Sequence, residues 1–363
     1  MSFGDLLQIF ERRANGRRNL SALYLYNLQS IIMFDVITIG SAVRDVFART
    51  KDIKAIKDKK FAVGEAACFS LGSKLNLEEV NFSVGGGAIN TAVTFARQEY
   101  KVAAIGVIGD DPEGQHIRDK SDSSGIHCDF LAVDKDHATS FSFILSLPDG
   151  SRTVFRYKGA SWHLKEEHIP WMDLRAQWLY VNHMAGESHA VLPRLLKEAK
   201  DRGIQIAWNP GSTQLEKKNE LQELMNYADL FIVNQEEAAV ITGVPYQKKR
   251  QIFKKLDELV HGRVIMTKGS RGVEVSDGKT LWSAGVLPLD KSEIVDRTGA
   301  GDAFGSGFVA ALMRKPNNIE YAIQFASANA TGVLGEWGAN HGLLKRGDSP
   351  AKYGTLQIKK AQL

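Results

Sequence analysis

The stretch that most constrains the fold of this chain is DRTGAGDAFGSGFVAAL, residues 296–312. A run of small residues leads directly to Asp302. Beyond it, Phe304, Phe308 and Leu312 recur at every fourth position, which is the spacing of a buried helical face. The sequence therefore predicts a helix that begins at a glycine-rich turn.

Such a turn favours a particular chemistry. The first backbone N–H groups of a helix have no partner within the helix, and the positive end of the helix dipole lies behind them. The turn therefore favours a phosphate or a developing oxyanion. Asp302 lies where it could accept a proton from an attacking hydroxyl group. The residues alone equally allow a simpler interpretation, a packed helix whose first-turn carboxylate is stabilised by the dipole.

Length and composition limit the class of protein. A chain of 363 residues, 44% hydrophobic and 24% charged, is typical of an α/β protein with one large core and an accessory piece. The net charge of +4 is too small to favour nucleic-acid binding, and no apolar run reaches the length of a membrane span. Cys68 and Cys128 are far apart without a CxxC motif, so we expect reduced thiols, no zinc site and a cytoplasmic protein.

Apolar runs followed by polar loops predict a mainly parallel sheet. The first is 34–39, and 204–208, 230–233 and 264–266 follow later in the chain. Because parallel strands end at one edge of a sheet, their polar loops should form a common ligand-binding edge.

Two other regions are rich in short strands. The predicted strands there are 61–71, 80–84, 140–147 and 153–157. A turn at Pro148-Asp149-Gly150 joins the last two. We expect these strands to project from the main sheet. Arg152 and Arg156 are interpreted as exposed strand cations within reach of an acidic substrate group.

Polar residues near the first strand could bind a polyol. Asp45 follows that strand, and its carboxylate could accept two hydroxyl hydrogen bonds or simply be solvated in a loop. Further on, the glycines of 85–87 allow close approach of a ligand to the backbone. Asn90 can both donate to a polyol and accept from it. A glycine turn before a helix is common, so this pattern by itself is weak.

Two motifs lie at the predicted ligand edge. Asn234 and Glu237 share a helical face and suit Mg²⁺ through water, or they form an ordinary capping box. Thr267, Gly269 and Gly272 form a tight turn into a hairpin. A P-loop is excluded near this turn, because a hairpin rather than a helix surrounds Gly278-Lys279-Thr280.

Taken in order, these motifs resemble those of the ribokinase-like carbohydrate kinases, also called the phosphofructokinase-B family. The matching elements are Asp45, the glycine turn with Asn90, NxxE, TxGxxG and DRTGAGD. The resemblance implies an α/β fold, a ribokinase-like three-layer α/β/α sandwich with a mainly parallel central sheet and a small β-strand lid. It also implies an ATP-dependent kinase that phosphorylates a hydroxyl group of a sugar or nucleoside.

The resemblance implies domain boundaries. The kinase domain is expected over residues 33–345, with lid strands within about 46–84 and a further set within 140–160. Residues 1–32 are expected to be an N-terminal tail outside the catalytic fold, and residues 346–363 a C-terminal tail. In some family members the lid pairs with that of a second subunit, so a homodimer through the lid is expected.

The resemblance also assigns roles to residues. Asp302 would be the catalytic base, beside an anion hole formed by the backbone of Gly299, Ala300 and Gly301. The acceptor-binding residues would be Asp45, Gly85, Gly86 and Asn90. The ATP-binding residues would be Asn234, Thr267, Gly269, Gly272 and Asn329. Glu237 and Asn234 would hold Mg²⁺ through water, and Asp296 and Thr298 would lie beside a monovalent cation such as K⁺.

Two positions depart from the family pattern. Gly87 stands where several sugar kinases have Lys, and Arg297 stands where Thr is common. The substrate contact that a Lys would make at position 87 is therefore in question.

Three other functions can be weighed against the kinase. A catalytically silent sugar- or nucleotide-binding regulator would be recognised by the loss of Asp302, which is present. A phosphomethylpyrimidine-type kinase would lack the strand-rich lid and the Asn90 turn. A Rossmann dehydrogenase requires GxGxxG after the first strand, where this chain has GSAVRD.

Overall fold

The computed structural model describes residues 33–61, 64–147 and 151–363. Residues 1–32, predicted as a tail, and the turn predicted at 148–150 lie outside the described residues. The strands are β1 Phe34–Ile39, β2 Val43–Arg49, β3 Lys54–Lys57, β4 Glu65–Cys68, β5 Glu79–Gly85, β6 Val102–Gly109, β7 Ile126–His127, β8 Leu131–Asp134, β9 Ser140–Ser146, β10 Arg152–Tyr157, β11 Ala176–Val181, β12 Gln205–Trp208, β13 Leu230–Asn234, β14 Arg263–Thr267, β15 Val273–Ser276, β16 Thr280–Ala284 and β17 Ile358–Gln362. The α-helices are α1 Gly87–Arg97, α2 Pro112–Asp122, α3 Leu192–Asp201, α4 Ser212–Glu216, α5 Lys218–Leu224, α6 Gln235–Thr242, α7 Lys249–Leu259, α8 Ala300–Arg314 and α9 Ile319–Leu334.

The centre of the molecule is a large sheet with strand order β17-β16-β15-β14-β13-β12-β11-β1-β6-β7, in which β8 also pairs with β6. The strands from β14 to β7 are parallel, and β15, β16 and β17 continue the sheet in antiparallel fashion. Strand β6, with the sequence VAAIGVIG, is buried along its whole length, as expected for a strand covered on both faces. The predicted mainly parallel sheet is confirmed.

Helices cover both faces of this sheet. Buried side chains of α1, α8 and α9 form one core cluster with the sheet. Buried side chains of α3, α5, α6 and α7 form a second cluster on the opposite face. The predicted three-layer α/β/α sandwich is confirmed.

A separate four-stranded sheet, which we call the lid, has strand order β10-β9-β2-β5. A two-stranded hairpin, β3-β4, accompanies it. The lid begins at β2 with Val43, slightly earlier than predicted, so Asp45 lies within a strand rather than in a loop. Strand β4 is also shorter than the predicted strand 61–71.

The pairing register of the lid strands shows which side chains share each face of the lid. Asp45 lies opposite Ser83 and Ser142, and Ser142 lies opposite Arg156, so these polar side chains share one face, the inner face. Neighbouring positions alternate to the outer face, which carries Phe82, Phe143, Phe155 and Tyr157.

The C-terminal segment differs from the expectation of a tail. Ile358–Gln362 forms β17, which pairs with β16 at the edge of the central sheet. The physical reason is that β16 would otherwise present a row of unpaired N–H and C=O groups. None of the helices in the described ranges is long and apolar enough to cross a membrane.

Candidate active site between the lid and helix α8

The glycine-rich turn has the predicted form. Gly299 is the N-cap of α8 with a φ of 77°, a conformation that favours glycine. A Cβ on Gly299 would lie 2.1 Å from Cβ of Ala339, whereas a Cβ on Gly301 would meet no atom within 4 Å. Beyond the turn, Phe304 and Phe308 are buried. At the N-terminus of α8, Gly299 is therefore packed tightly against Ala339, whereas Gly301 faces open space.

Asp302 lies in the first turn of α8 and is only partly exposed. Nδ2 of Asn90 donates to its Oδ2 at 2.8 Å. Burial raises the pKa of Asp302 to about 6, and the hydrogen bond from Asn90 opposes that shift. Oδ1 of Asn90 is buried without a partner among the described residues, so it remains free to accept from a ligand. The structure thus brings together two residues that the sequence assigned to separate motifs.

Asp45 points from the inner face of the lid toward the same place. It is 7% exposed, and its pKa is raised to about 7, chiefly by burial. The charges of Asp296 and Asp302 raise this pKa further, whereas a hydrogen bond from Ser142 lowers it. A Cβ on Gly85 would lie 1.9 Å from Oδ2 of Asp45 and 3.7 Å from Oδ1 of Asn90. The missing side chain at Gly85 therefore lets these two polar groups converge.

Glycine is also required at the next two positions, 86 and 87, because a Cβ there would lie too close to neighbouring atoms. Gly86 is the N-cap of α1 with a φ of 90°, and a Cβ there would lie 2.4 Å from the carbonyl oxygen of Ser41. A Cβ on Gly87 would lie 2.8 Å from Cβ of Asn182. A Lys at this position, as in several sugar kinases, would therefore require Asn182 to shift.

Asp296 is a buried carboxylate whose two oxygens differ in their hydrogen-bond partners. Its Oδ1 accepts from the backbone N–H groups of Arg297 and Thr298, and from Oγ1 of Thr298. Nη1 of Arg152 donates to the same oxygen at 2.8 Å. Within the described ranges, Oδ2 of Asp296 is buried without a partner.

Arg152 is the residue that sequence reasoning missed. The sequence predicts an exposed strand cation, and Arg152 is exposed on β10, but its side chain also reaches across from the lid to Asp296 and Thr298. It lies 144 residues from Asp296 in the chain, so no local pattern could have revealed the contact.

Asn234 and Glu237 form a capping box at the start of α6. The side-chain oxygen of Asn234 accepts from the N–H of Glu237 at 2.9 Å, and Oε2 of Glu237 accepts from the N–H of Asn234 at 2.8 Å. Burial raises the pKa of Glu237. The capping interpretation is thus realised, and it uses only one carboxylate oxygen of Glu237.

Thr267, Gly269 and Gly272 lie where β14 turns into β15. Gly272 has a φ of 89°, and a Cβ there would lie 2.0 Å from the carbonyl oxygen of Ala284. Gly269 has a φ of 55° and faces open space. The turn therefore exposes its backbone at Gly269. It lies beside the capping box because Thr267, the last residue of β14, pairs with Asn234 on the neighbouring strand β13.

The family resemblance implies an ATP contact for Asn329, but the structure places this residue in the core. The residue is fully buried; its Nδ2 donates to the carbonyl oxygen of Ala303, and its Oδ1 accepts from the N–H of Leu344. Because both ends of the amide are used within the protein, Asn329 joins α9 to α8 and is not free to bind a nucleotide.

Comparison with known proteins gives a consistent result. Residues 33–346 match the family described as pfkB family carbohydrate kinase. The chain is 27% identical to the ribokinase of Haemophilus influenzae, over 76% of this chain and 89% of that protein. It is 25% identical to the nucleoside kinase of Methanothermobacter thermautotrophicus, over 74% of this chain and 84% of that protein.

Solved structures share the fold. An adenosine kinase from Sinorhizobium meliloti superposes with a TM-score of 0.71 at 23% identity, covering 86% of this chain and 97% of that one. Arabidopsis thaliana ribokinase complexed with ribose and ATP superposes with a TM-score of 0.69 at 20% identity, covering 87% of this chain and 97% of that one.

Proposed function

The chain belongs to the pfkB family of carbohydrate kinases, and from this premise we propose that it transfers the γ-phosphoryl group of ATP to a hydroxyl group held against Asp302. It is a carbohydrate or nucleoside kinase, since its relatives include ribokinases, a nucleoside kinase and a cytidine kinase. These substrates share a ribose unit, which supports ribose or a nucleoside as the acceptor.

The convergence of Asp302, Asn90 and Asp45 is the observation that carries the proposal. Asp45 and the free Oδ1 of Asn90 would orient the acceptor hydroxyl groups. Asp302, ionised above about pH 6, would take the proton of the reacting hydroxyl group as its oxygen bonds to the γ-phosphorus. The bond from that phosphorus to the bridging oxygen of ADP then breaks.

The start of α8 would stabilise the charge on the transferring group. The backbone N–H groups of Gly299, Ala300, Gly301 and Asp302 have no partner within the helix. Open space at Gly301 leaves room for the phosphoryl oxygens to approach. The helix dipole favours the negative charge there.

ATP would lie along the carboxyl edge of β13 and β14. The exposed backbone at Gly269 and the loop after Thr267 support this placement. Mg²⁺ supplies charge neutralisation for the ATP phosphates, and Glu237 with Asn234 would hold it through water. The carboxylate oxygen of Glu237 that the capping box leaves unused fits this role.

A monovalent cation such as K⁺ would bind beside Asp296 and Thr298. The supporting observation is Oδ2 of Asp296, which is buried without a partner among the described residues. A carboxylate oxygen of this kind suits a hard cation, whose role would be to stabilise the conformation of the glycine-rich turn.

The lid also supports a homodimer. Val80, Phe82, Phe155 and Tyr157 are each at least 41% exposed, and the last three form a group on the outer face. A second lid packed against this apolar face would remove it from water.

The test of the proposed function is the Asp302→Asn variant. Asn is nearly isosteric and can still accept from Asn90, but it cannot take the proton. We expect kcat to fall by on the order of 100- to 10,000-fold, while the acceptor dissociation constant stays close to that of the wild type. ADP formation with Mg²⁺ should be measured across ribose, other sugars and nucleosides, and acceptor binding by calorimetry.

Two outcomes would count against this proposal. Unchanged turnover in Asp302→Asn would show that Asp302 is not the catalytic base. Acceptor binding by the wild type without acceptor-stimulated ADP formation would favour the catalytically silent regulator instead.

A further inference from the structure

A tyrosine hydroxyl group lies buried beneath the start of α8. Tyr180 is on β11 in the middle of the central sheet, between Thr38 of β1 and Ala207 of β12. The residue is fully buried, and its Oη has no hydrogen-bond partner among the described residues. An unpaired hydroxyl group in the interior is costly. Its presence next to the candidate site therefore requires a reason other than packing.

Helix α8 has a gap that fits this hydroxyl group. A Cβ on Gly305 would lie 2.1 Å from Oη of Tyr180 and 3.3 Å from its Cζ. Glycine at position 305 therefore lets Oη approach the backbone of the helix. The ring of Tyr180 also contacts that of Phe95 on α1, with centroids 6.1 Å apart. The aromatic ring is thus held by α1, while the hydroxyl group is held against α8.

The gap at Gly305 lies one helical turn beyond Asp302. Residues three apart in a helix share a face, so Oη of Tyr180 and the carboxylate of Asp302 lie on the same side of α8. Burial raises the pKa of Tyr180 far above its usual value, and the negative charge of Asp302 raises it further. The hydroxyl group is therefore a neutral dipole within electrostatic range of the candidate base.

Groups on each neighbouring element influence how readily Asp302 ionises. From α1, Nδ2 of Asn90 donates to the carboxylate and stabilises its charge. From the lid, Asp45 faces the same space, and the two negative charges disfavour each other. Asp296, just before α8, is paired with an arginine of the lid. From β11, the O–H group of Tyr180 can rotate toward the anion, because no acceptor in the described part of the chain holds it.

We propose that Tyr180 is a positioning residue whose hydroxyl dipole, placed by the gap at Gly305, stabilises the ionised form of Asp302 from beneath. This inference rests on the proposed role of Asp302 as the base and deepens it. The hydrogen bond from Asn90 and the dipole of Tyr180 would then act on the carboxylate from two different elements. Both would keep the base ionised near neutral pH.

The kinetic test is Tyr180→Phe, which removes the hydroxyl group and keeps the ring. Without the dipole the anion is less stable, so we expect the pKa of Asp302 to rise by about one unit, the size of a typical hydrogen-bond contribution. At pH 6, kcat/KM for the acceptor should fall about five-fold, whereas above about pH 8.5 it should match the wild type.

The matched control is Tyr100→Phe. The hydroxyl group of Tyr100 donates to the carbonyl oxygen of Ala310, farther along the same helix, at 3.1 Å. This variant should keep the pH profile of the wild type. An equal loss of kcat/KM at every pH in Tyr180→Phe would overturn the proposal, because the hydroxyl group would then affect the structure rather than ionisation. An unchanged profile in Tyr180→Phe would overturn it as well.

A double-mutant cycle tests whether the hydroxyl group occupies the gap in α8. Gly305→Ala places a methyl group against Oη of Tyr180, so it should lower the melting temperature. The loss should be smaller in the Tyr180→Phe background, because the oxygen that clashes is absent. Part of the loss should remain, since Cδ1 of Ile232 would lie 3.1 Å from the new Cβ. Equal losses in the two backgrounds would contradict this placement of the hydroxyl group.

An NMR titration separates this inference from the kinase function, because it needs no turnover. In ligand-free protein with labelled aspartate carboxyl carbons, the signal of Asp302 is identified by its loss in Asp302→Asn. Its midpoint should lie about one unit higher in Tyr180→Phe than in the wild type or Tyr100→Phe. This shift, in a protein that phosphorylates no acceptor, would support the link between Tyr180 and Asp302 and refute the kinase function. Identical midpoints in an active kinase would refute the role of Tyr180 and leave the kinase function standing.

Discussion

Three carboxylates, those of Asp45, Asp296 and Asp302, meet between the lid and the start of α8, and each is stabilised differently. Asp296 is paired with Arg152, Asp302 accepts from Asn90, and Asp45 is left with a hydrogen bond from Ser142. Asp45 has no counter-ion beside it that outweighs its burial, so its pKa is raised to about 7, compared with about 6 for Asp302. The site therefore holds a carboxylate whose ionisation costs stability in the absence of a substrate.

This cost predicts a pH-dependent effect of Asp45→Asn on stability. The pKa of Asp45 rises from 3.8 to about 7 on folding, so between these pH values the folded protein binds more protons than the unfolded protein. Stability due to this group is therefore lost as the pH rises through that window. Asn does not ionise and can still accept from Ser142. We expect Asp45→Asn to raise the melting temperature at pH 8 by roughly 2 to 5 °C, with little effect near pH 4.

The matched control is Asp136→Asn, which removes an exposed carboxylate from the surface. Melting curves of the three proteins should be recorded by calorimetry from pH 4 to pH 8. An effect of Asp45→Asn that is equal at both ends of this range would contradict the interpretation, because the cause would then be packing rather than ionisation.

At the scale of elements, two helices that begin at glycines bring the site together. Helix α1 starts after Gly86 and α8 after Gly299, both with positive φ. The helices pack side by side, with Oγ of Ser306 donating to Oγ1 of Thr94 at 2.8 Å. Their first turns consequently place Asn90 against Asp302. Each turn was predictable from its glycines, but their convergence was not.

Alanine substitutions at the two ends of the glycine-rich turn are expected to have opposite effects on stability. At Gly301 a Cβ meets no protein atom, and alanine favours helix by up to about 1 kcal/mol over glycine. Gly301→Ala should therefore retain or raise the melting temperature. It should nevertheless lower kcat/KM for ATP, because the methyl group would occupy the space proposed for the phosphoryl oxygens. Steady-state kinetics and calorimetry on the same preparation would separate the two effects.

Gly299→Ala is the contrasting variant. Its Cβ would clash with Ala339 and its φ is unfavourable for alanine, so both stability and activity should fall. Full kinase activity in Gly301→Ala would show that the phosphoryl group does not approach this end of the helix.

At the scale of the whole molecule, the lid connects the active site to a surface on its other side. The inner face carries Asp45 and Arg152 toward the site, while the outer face exposes Phe82, Phe155 and Tyr157. If two lids pack together, closing of one lid and the contact with the partner involve the same strands.

The outer face predicts that Phe155→Asp weakens self-association. A charge placed in an apolar interface must be desolvated on association, so we expect this substitution to dissociate the proposed lid-mediated dimer into monomers. Sedimentation velocity over a range of concentrations would measure this. Met172→Asp is the control, since Met172 is exposed but lies outside the lid. A wild type that sediments as a monomer at every concentration would disprove the lid-mediated dimer.

Much of the fold follows from local patterns. The apolar runs ending in polar loops predicted β1, β12, β13 and β14, and the four-residue repeat after Asp302 predicted α8. These predictions hold because strand alternation, helix periodicity and glycine turns depend on residues close together in the chain.

The sequence by itself therefore predicted the mainly parallel sheet, the lid strands β5, β9 and β10, the glycine-rich turn and Asp302 as the candidate base, and its resemblance to a known family added the sandwich. Only the tertiary structure decided that Arg152 lies on Asp296, that Asn90 donates to Asp302, that Asn329 is buried and that the C-terminal segment completes the sheet. The physical reason is the separation of the contacting residues along the sequence. Each of these contacts joins elements that are distant in the chain, and their meeting depends on strand order and helix packing that no local pattern encodes.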